Sequence, residues 1–282
     1  MSSAIDAAVA VAAAQGLGVT DPVVLQDGSN VLVHLRPAPI VARVPAVTAR
    51  FRNGDAWLAR EVAVAGFLHD AGAPVVPPAS EIPPGPHAHD GHLMTFFEYA
   101  APASSPVDAR EAGRRLRLCH EALRAYPGEL PRHALLEEAR ALVDVLELPD
   151  DHAERLRAAG TRIRARLDAL DPELRPVHGD GDLRNVIQTE RGPLWNDWED
   201  ACLAPVAWDL ACLHEDPDDA AHARAIAEAE RGYGVPADID PDVFDACVAA
   251  RRYQETVWTF AFLERHPQYE KQALEMLDAY AS

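Results

Sequence analysis

The stretch His178-Gly179-Asp180-Gly181-Asp182-Leu183-Arg184-Asn185, followed by Trp195-Asn196-Asp197-Trp198-Glu199-Asp200, is the most informative part of the chain. It places one carboxylate, Asp180, five residues before a side-chain amide, Asn185, and a second carboxylate, Asp197, follows a short apolar run. Phosphoryl transfer from a nucleotide needs a group that takes the proton of the attacking hydroxyl, and oxygen ligands for the magnesium ion on the phosphates. The stretch therefore predicts catalytic and metal-binding loops for that chemistry.

The local pattern predicts a loop followed by a hairpin. Glycines flank Asp180, as is typical of a loop from which a carboxylate projects into a cleft. The apolar pairs at 186–187 and 194–195 predict two short strands, joined by a turn at Arg191-Gly192. Such a hairpin brings Asn185 and Asp197 to one end, where their oxygens suit magnesium. An ordinary solvated Asp/Asn turn is the alternative interpretation.

The composition is that of a folded globular protein, with 282 residues, 48% of them hydrophobic and 25% charged. The net charge of −19 argues against nucleic acids and anionic membrane surfaces as partners. Residues 1–95 carry 5 basic and 8 acidic side chains and the remainder carries 21 and 37, so most negative charge accompanies the Asp180 stretch. This excess fits either solubility alone or attraction of a cationic substrate.

The chain has no pattern that points to a membrane or to an oxidising compartment. Its four cysteines form no CxxC pair and have no zinc-ligand spacing, so reduced thiols are expected. No apolar run approaches the ~20 residues that span a bilayer. Asp6 stands where a signal peptide would be basic. A cytoplasmic location is therefore expected.

The organisation along the chain predicts an α+β fold. Alternating β-branched runs and turn residues, followed by helical spacing, mark the first part, and helical spacing dominates beyond residue 100. Strands are expected at 23–25, 31–35, 39–44, 79–82 and 92–97, the first three as an antiparallel meander, with helices at 3–15 and 55–70. Further helices are expected at 108–125, 135–146, 152–170, 208–213, 218–231, 241–263 and 267–280. The predicted domains are a small sheet lobe with one main helix at 1–95, a hinge at 96–101 and a larger helical lobe at 102–282.

Together with the run Ala204-Pro205-Val206-Ala207-Trp208-Asp209-Leu210-Ala211, these motifs resemble the aminoglycoside phosphotransferase family, relatives of choline kinase and the protein kinases. The resemblance extends over nearly the whole chain, because lobe order and strand count agree. It implies a bilobal protein-kinase-like fold that transfers the γ-phosphate of ATP, or of GTP, to a hydroxyl of a small molecule with Mg²⁺ as cofactor.

The resemblance also implies roles for individual residues. Asp180 is implied as the catalytic base, and Asn185 and Asp197 as magnesium ligands. Asp209 is implied as a structural acid that holds the backbone of the catalytic loop, with His178 packed beneath that loop. Asp182 is a rival carboxylate, but the family places the base directly after His-Gly.

In the N-terminal part, the implied nucleotide-binding residues are less distinctive. Gly28, Ser29 and Asn30 form the turn expected over the phosphates, although an ordinary hairpin turn explains them equally well. Lys271 is the only lysine in the chain, so Arg43 must supply the strand cation for the phosphates, with Glu61 on the next helix as its partner. A surface arginine is the alternative for Arg43, and Arg36 is the less favoured substitute.

Two further regions are candidates for ligand contact. The run Met94-Thr95-Phe96-Phe97-Glu98-Tyr99 fits the strand and hinge against which adenine packs, and Thr95 and Phe97 are the candidates there. The histidine-rich segment 87–92 is interpreted as a solvated turn between strands rather than a metal site. The candidates for acceptor binding are Asp182, Glu215, Asp216, Glu255 and Trp258, although an acidic run is also typical of a solvated helix end.

The predicted function is small-molecule phosphoryl transfer, with an aminoglycoside or another cationic compound as one candidate acceptor. A metabolic kinase for an amino alcohol, sugar or homoserine-like acceptor is the first alternative. A nucleotide-binding pseudokinase is the second, favoured by the missing lysine and the single glycine in the phosphate turn, and opposed by the intact set of Asp180, Asn185 and Asp197.

Overall fold

The computed structural model describes residues 2–214, 220–234 and 239–280. The chain divides into two compact units, each made of two stretches. The first unit comprises Met1–Asp108 and Asn185–Glu199, and the second comprises Ala109–Arg184 and Asp200–Ser282. The division into 1–95, 96–101 and 102–282 stays a prediction. Within the described ranges, every helix is too short or too polar to pass through a lipid bilayer.

The first unit is built on a five-stranded antiparallel sheet whose neighbouring strands are, in order, residues 21–27, 30–36, 40–45, 92–98 and 87–89. Val31, Val33 and Leu35 alternate along the second strand and are buried, as expected for a strand with one face on a core. The predicted meander and both predicted helices are confirmed. The elements are α1 (Ser2–Ala14), β1 (Asp21–Asp27), β2 (Asn30–Arg36), β3 (Ile40–Pro45), α2 (Ala56–Asp70), β4 (His87–His89) and β5 (His92–Glu98).

The strand predicted at 79–82 is wrong. Prolines at 77, 78, 83, 84 and 86 surround this segment, and proline cannot donate a ladder hydrogen bond. The segment contributes only an isolated bridge between Pro78 and Phe97, while Ile82 packs into the core. Strand β5 pairs with β3 and with β4, at residues 87–89, so the histidine-rich segment predicted as a turn is a hairpin whose turn is limited to Asp90 and Gly91.

The hairpin predicted after the Asp180 loop is present and belongs to the first unit. Strands β7 (Val186–Thr189) and β8 (Gly192–Trp195) pair antiparallel, with Val186 opposite Trp195. The backbone of the fully buried Trp195 donates to Pro74 O at 3.0 Å and accepts from Val76 N at 2.9 Å. The hairpin is thereby joined to an earlier part of the same unit.

The second unit is mostly helical, which confirms the predicted fold class. Its small β-structure, an antiparallel pair of three-residue strands, is too short to be predicted from periodicity. The elements are α3 (Ala109–Leu123), α4 (Ala134–Leu142), α5 (Asp150–Leu170), β6 (Arg175–Val177), β9 (Cys202–Ala204), α6 (Val206–Leu213), α7 (Ala220–Tyr233), α8 (Pro241–Phe262) and α9 (Glu270–Asp278). The helix predicted at 135–146 ends early at Leu142, and that at 267–280 begins with a 3-10 turn, Pro267–Tyr269.

Helix α8 is the central element of the second unit and packs against α4, α5, α6 and α9. Its buried face is continuous, with Cys247, Ala250, Tyr253 and Val257 at helical spacing. Asp240 caps its first turn by accepting a hydrogen bond from Asp242 N at 2.8 Å. The packed face of the helix also carries a few buried polar residues, among them Arg251 and Gln254.

Candidate active site

In the second unit, Asp209 fixes the backbone of the loop that carries Asp180. Its Oδ2 atom accepts from His178 N at 2.7 Å, and its Oδ1 atom accepts from Gly179 N at 2.9 Å. His120 Nε2 lies 2.8 Å from Oδ2, and His120 Nδ1 lies 2.9 Å from the Tyr233 hydroxyl. Burial, and then Asp209, raises the pKa of Tyr233 above its usual range. The fully buried carboxylate of Asp209 therefore joins the loop to helices α3 and α7.

Gly179 is required at its position by conformation and by space. Its φ of +90° lies in the left-handed region, and an added Cβ would clash with the carbonyl oxygen of Asp200. Its own carbonyl oxygen accepts from Trp208 Nε1 at 2.7 Å. Gly179, the residue directly before Asp180, is therefore held by two residues of α6: Asp209 accepts from its N–H and Trp208 donates to its carbonyl.

Asp180 is partly exposed and paired with an arginine of α8. Its Oδ1 atom lies 2.8 Å from Arg251 Nη1, and its side chain is 28% exposed whereas that of Arg251 is 7% exposed. Its backbone N–H donates to His178 Nδ1 at 3.3 Å, and His178, predicted to pack beneath the loop, is fully buried. The carboxylate predicted to act as base thus has a defined position.

Asp182, the rival carboxylate, binds Arg184 of its own loop. It is 5% exposed, and its Oδ1 atom accepts from Arg184 N at 2.6 Å. Its Oδ2 atom accepts from Arg184 Nε at 3.0 Å and Arg184 Nη2 at 2.6 Å. Because both oxygens bind the chain that follows, Asp182 stabilises the 3-10 turn Leu183–Asn185.

In the first unit, Arg43 is surrounded by three carboxylates. It is 4% exposed, its Nη1 atom lies 2.8 Å from Glu61 Oε1, and its Nη2 atom lies 2.6 Å from Asp197 Oδ1 and 2.9 Å from Glu199 Oε1. Burial alone lowers the pKa of Arg43, but the three carboxylates outweigh it and raise the pKa further above its usual range. The ion pair expected between Arg43 and Glu61 is therefore present. Arg36 instead lies at the exposed end of β2, paired with Asp21.

Glu199 is the member of this cluster that sequence reasoning did not assign. It is 4% exposed and accepts from Asn30 Nδ2 at 3.4 Å, and its Oε2 atom lies 3.4 Å from Arg52 Nη1. Arg60 Nη2 donates to its backbone carbonyl at 3.1 Å. Glu199 therefore connects the turn at residues 28–30 to the strand cation Arg43.

The hairpin brings the two proposed magnesium ligands to the same end. The backbone oxygen of Asn185 accepts from Asn196 N at 3.0 Å and from Asn196 Nδ2 at 2.7 Å, and Asp197 follows with a left-handed φ of 65°. An amide oxygen and a carboxylate that is 25% exposed form a hard-oxygen donor set that suits magnesium. Among the described residues, no group of three or more His, Cys, Asp or Glu side chains is arranged for metal binding, so this pair would rely on phosphate and water for the remaining ligands.

The other residues predicted to bind the nucleotide lie on the sheet. Gly28 N donates to Asn30 O at 3.1 Å, and Ser29 O accepts from Ala46 N and Val47 N, so the turn is a closed hairpin. Thr95 lies directly opposite Arg43 across β3 and β5, and Phe97 lies opposite Val41. The Thr95 hydroxyl and Asn30 Oδ1 are buried and have no hydrogen-bond partner among the described residues.

The candidates for acceptor binding are only partly described. Glu255 and Trp258 lie on α8, the former 26% exposed in its side chain and 2.9 Å from Arg251 Nε, the latter 8% exposed and packed against Phe262. Glu215 and Asp216 lie outside the described residues. Within the described part of the second unit, the predicted acceptor-binding residues are therefore Glu255 and Trp258 on α8 and Asp182 in the Asp180 loop.

A family model described as "Phosphotransferase enzyme family" (APH) matches residues 26–247. The chain belongs to this family. It is a phosphotransferase, and the family resemblance seen in the Asp180, Asp197 and Asp209 motifs is confirmed. No curated protein sequence matches the chain.

Solved structures with a similar fold are kinases of small molecules. The amicoumacin kinase hAmiN, in complex with AMP-PNP, Ca²⁺ and Ami, has a TM-score of 0.73 at 13% identity, covering 99% of this chain and 95% of that one. The choline kinase LicA from Streptococcus pneumoniae has a TM-score of 0.67 at 16% identity, covering 97% and 98%. The spectinomycin phosphotransferase APH(9)-Ia, in complex with ADP and its substrate, has a TM-score of 0.61 at 14% identity, covering 97% and 92%. These similarities show that this phosphotransferase has the kinase-like fold.

Three residues near the predicted site were not found from the sequence. Glu199 follows Asp197 in an acidic run, and that run was the available signal. Arg251 has the i,i+4 spacing of a helical ion pair with Glu255, a predicted acceptor-binding residue, but this spacing is too common to identify a site. His120 lies in α3 with nothing in its local sequence to mark it.

Proposed function

We propose that this phosphotransferase transfers the γ-phosphate of ATP to a hydroxyl of a small molecule, with Asp180 as the base. The observation that carries the proposal is the loop geometry: Asp209 and Trp208 hold the peptide on which Asp180 is mounted, while Asp182 is committed to Arg184. A base in a fixed loop next to a helical core suits a reaction in which positioning supplies most of the rate.

The proposed step is a single displacement. The acceptor oxygen bonds to the γ-phosphorus, the bond from that phosphorus to the β,γ-bridging oxygen breaks, and the hydroxyl proton passes to Asp180. ADP leaves with the electron pair of the broken bond. A bound Mg²⁺ supplies neutralisation of charge on the phosphate oxygens. Asn185 and Asp197 would hold that ion, and Arg43, fixed by Glu61 and Glu199, would keep positive charge beside Asp197.

Use of ATP and a divalent cation is supported by the donor chemistry and by the relatives. The hAmiN complex contains AMP-PNP and Ca²⁺, and the spectinomycin phosphotransferase complex contains ADP. GTP stays an alternative phosphate donor, because the proposed hinge at 96–101 would bind the base through backbone N–H and C=O groups and its side chains do not identify the base.

For the acceptor, an observation favours the alternative of a metabolic substrate. Within the described residues, the two acidic candidates for acceptor binding are already paired, Asp182 with Arg184 and Glu255 with Arg251. A polycationic aminoglycoside would have to displace these arginines, whereas an amino alcohol, a sugar or a homoserine-like compound needs fewer acidic partners. We therefore propose an acceptor of low positive charge, with aminoglycosides as the second candidate.

A coupled ADP-release assay with Mg-ATP tests this function. Aminoglycosides, sugars, amino alcohols and homoserine are supplied separately, and Asp180→Asn is the control enzyme. We expect turnover with one class of acceptor and its loss, by about 100-fold or more, in the variant. Turnover that survives in Asp180→Asn would remove Asp180 as the base. Nucleotide-dependent stabilisation without any turnover would favour a pseudokinase instead.

A further inference from the structure

Arg251 contacts the carboxylate of Asp180 and is itself fixed by two neighbours on the same helix. Its Nη1 atom lies 2.8 Å from Asp180 Oδ1 and also donates to Gln254 Oε1 at 2.8 Å, while its Nε atom lies 2.9 Å from Glu255 Oε1. Arg251 and Gln254 are 6% and 7% exposed. A buried guanidinium with three defined contacts cannot rotate freely, so it holds its positive charge beside Asp180 in a constant position.

The charges around Asp180 explain why a cation is needed there. The titratable groups around it are His178 of its own loop and Arg251 of α8, which contact it, Cys212 of α6, whose pKa feels its charge together with that of Asp209, and Glu255 of α8, which pairs with Arg251. Burial raises the pKa of Cys212 well above its usual range, which keeps this thiol neutral. Arg251 is the permanent cation of this set, and Asp180 shares the region with a second carboxylate, Asp209. A nearby positive charge offsets the repulsion between neighbouring carboxylates and therefore favours the ionised form of Asp180.

We propose that Arg251 is a positioning residue for the phosphotransferase reaction: it binds Asp180 Oδ1, keeps the carboxylate ionised and directs Oδ2 to the acceptor hydroxyl. This proposal rests on the proposed function, since it takes Asp180 as the base. The exposure of the side chain agrees with it, because Oδ1 is buried while the side chain as a whole is 28% exposed. The exposed part of the Asp180 side chain therefore does not include the oxygen nearest Arg251.

The proposal gives the two oxygens of Asp180 different tasks. Oδ1 stays with Arg251 throughout the reaction, and Oδ2 takes the proton as the acceptor oxygen bonds to the γ-phosphorus. In a loose transition state the proton moves late, so the orientation of the base matters more than its strength. A cation that weakens the carboxylate as a base is therefore compatible with fast transfer, provided that it holds the group in place.

The experiment compares Arg251→Met, Arg251→Lys and Asp180→Asn with a control, Arg252→Met, on the exposed side of the same helix. ADP release from Mg-ATP is measured with the best acceptor of the panel and with water alone, and Mg-AMP-PNP binding is measured by calorimetry. We expect Arg251→Met to lower kcat by about 100-fold while KM for ATP changes less than about threefold. In the pH profile of kcat/KM for Arg251→Met, the pH at which activity falls on the acidic side should rise by about one unit or more. Loss of the cation favours the protonated carboxylate of Asp180.

Arg251→Lys keeps the charge but cannot contact Asp180, Gln254 and Glu255 from one planar group. We expect its acidic limb to stay near that of the wild type while kcat falls by about 10-fold. If Arg251→Met does not fold, this variant carries the test, and an unchanged kcat in it would overturn the proposal. If Arg251 only stabilised α8, its replacement would lower the melting temperature and leave the acidic limb of the pH profile unchanged.

The outcomes separate this proposal from the proposed function. An inactive wild type, or an active Asp180→Asn, removes the proposed function and the role of Arg251 with it. An active wild type, an inactive Asp180→Asn and an Arg251→Met with kcat within about threefold of the wild type overturn the role of Arg251 alone. The Arg252→Met control should match the wild type in every measurement.

Discussion

Arg43 Nη2 lies 2.6 Å from Asp197 Oδ1, so the strand cation and a proposed magnesium ligand are paired inside the first unit. The same guanidinium reaches Glu61 and Glu199. Lysine presents its donors from a single atom, whereas the arginine fork can face several carboxylates at once. Arginine at this strand position therefore suits this cluster, because its Nη1 atom faces Glu61 while its Nη2 atom faces Asp197 and Glu199.

Replacing Arg43 by lysine should weaken nucleotide binding. We expect Mg-AMP-PNP affinity to fall about 10-fold and the free energy of unfolding to fall by about 1–3 kcal/mol, since part of the buried acidic cluster loses its donor. Calorimetry and urea denaturation measure the two effects. Arg36→Lys, at an exposed position on β2, is the matched control. Equal losses in both variants would contradict a special place for Arg43.

Glu199→Gln tests the residue that connects the turn at 28–30 to Arg43. We expect KM for ATP to rise about fivefold to tenfold with kcat nearly unchanged, and stability to fall by about 1.5–3 kcal/mol, because a charged hydrogen-bond acceptor in a buried site is lost. Steady-state kinetics and urea denaturation provide the readout. Glu190→Gln, in the exposed turn of the β7–β8 hairpin, should behave as the wild type. A fall in kcat alone would argue against this role.

Asp209→Asn should damage catalysis more than nucleotide binding. The amide can accept on only one atom, so one of the backbone donors at His178 and Gly179 loses its partner, at a cost of about 1–3 kcal/mol. We expect kcat to fall about 100-fold because the loop that carries Asp180 shifts, with Mg-AMP-PNP affinity little changed. Asp245→Asn on the exposed side of α8 is the control. Retention of full kcat would show that the loop does not need Asp209.

Gly179→Ala should be among the most harmful single changes in the second unit. Alanine adds both the strain of a φ of +90° and a clash with Asp200 O. Gly54→Ala separates the two effects, because Gly54 has a φ of +71° and open space around it. We expect Gly54→Ala to cost about 1 kcal/mol and Gly179→Ala to cost at least about 2 kcal/mol more, measured by urea denaturation. Similar costs would mean that the loop relaxes around the added methyl group.

His133 gives the stability of the second unit a pH dependence. It is 7% exposed, and burial, followed by the charges of Arg164 and Arg132, lowers its pKa below the ordinary 6.5. The unfolded chain therefore takes up the proton first, so the contribution of His133 is complete above pH 6.5 and is lost as the pH falls through the folded-state pKa.

Urea denaturation between pH 7.5 and about 5 measures this effect, with the wild type compared with His133→Asn. Asparagine is chosen because it tolerates the left-handed φ of 48° at this helix start. We expect the wild type to lose stability more steeply than the variant as the pH falls, by 1.36 kcal/mol for each unit of pKa difference. Parallel curves would exclude His133 as the source.

The elements with strong periodicity were predictable from sequence, and those set by distant contacts were not. The meander and helix α2 follow from local patterns, and so does the β7–β8 hairpin. The segment at 79–82 has apolar residues like those of a strand, but prolines flank it on both sides and Ile82 packs into the core. It therefore does not join the hydrogen-bonded ladder of the sheet. Strand β4 is short and polar, and it exists because β5 offers it a partner.

The site divides in the same way. Asp180, Asn185, Asp197 and Asp209 lie in motifs whose order is informative, so they could be named in advance. Arg251 lies 71 residues after Asp180 and His120 lies 89 residues before Asp209 in the chain, so only folding brings these pairs together. Long-range pairs of this kind leave no spacing in a single sequence.

The β7–β8 hairpin has a practical consequence for dissecting the protein. Because the first unit contains Asn185–Glu199, a fragment that ends at Asp108 would lack the strand that hydrogen-bonds to Pro74 and Val76. It would also lack Asp197 and Glu199, leaving the positive charge of Arg43 with Glu61 alone from its cluster. A minimal version of this unit must therefore include both stretches, with residues 185–199 joined by a linker to residues 1–108.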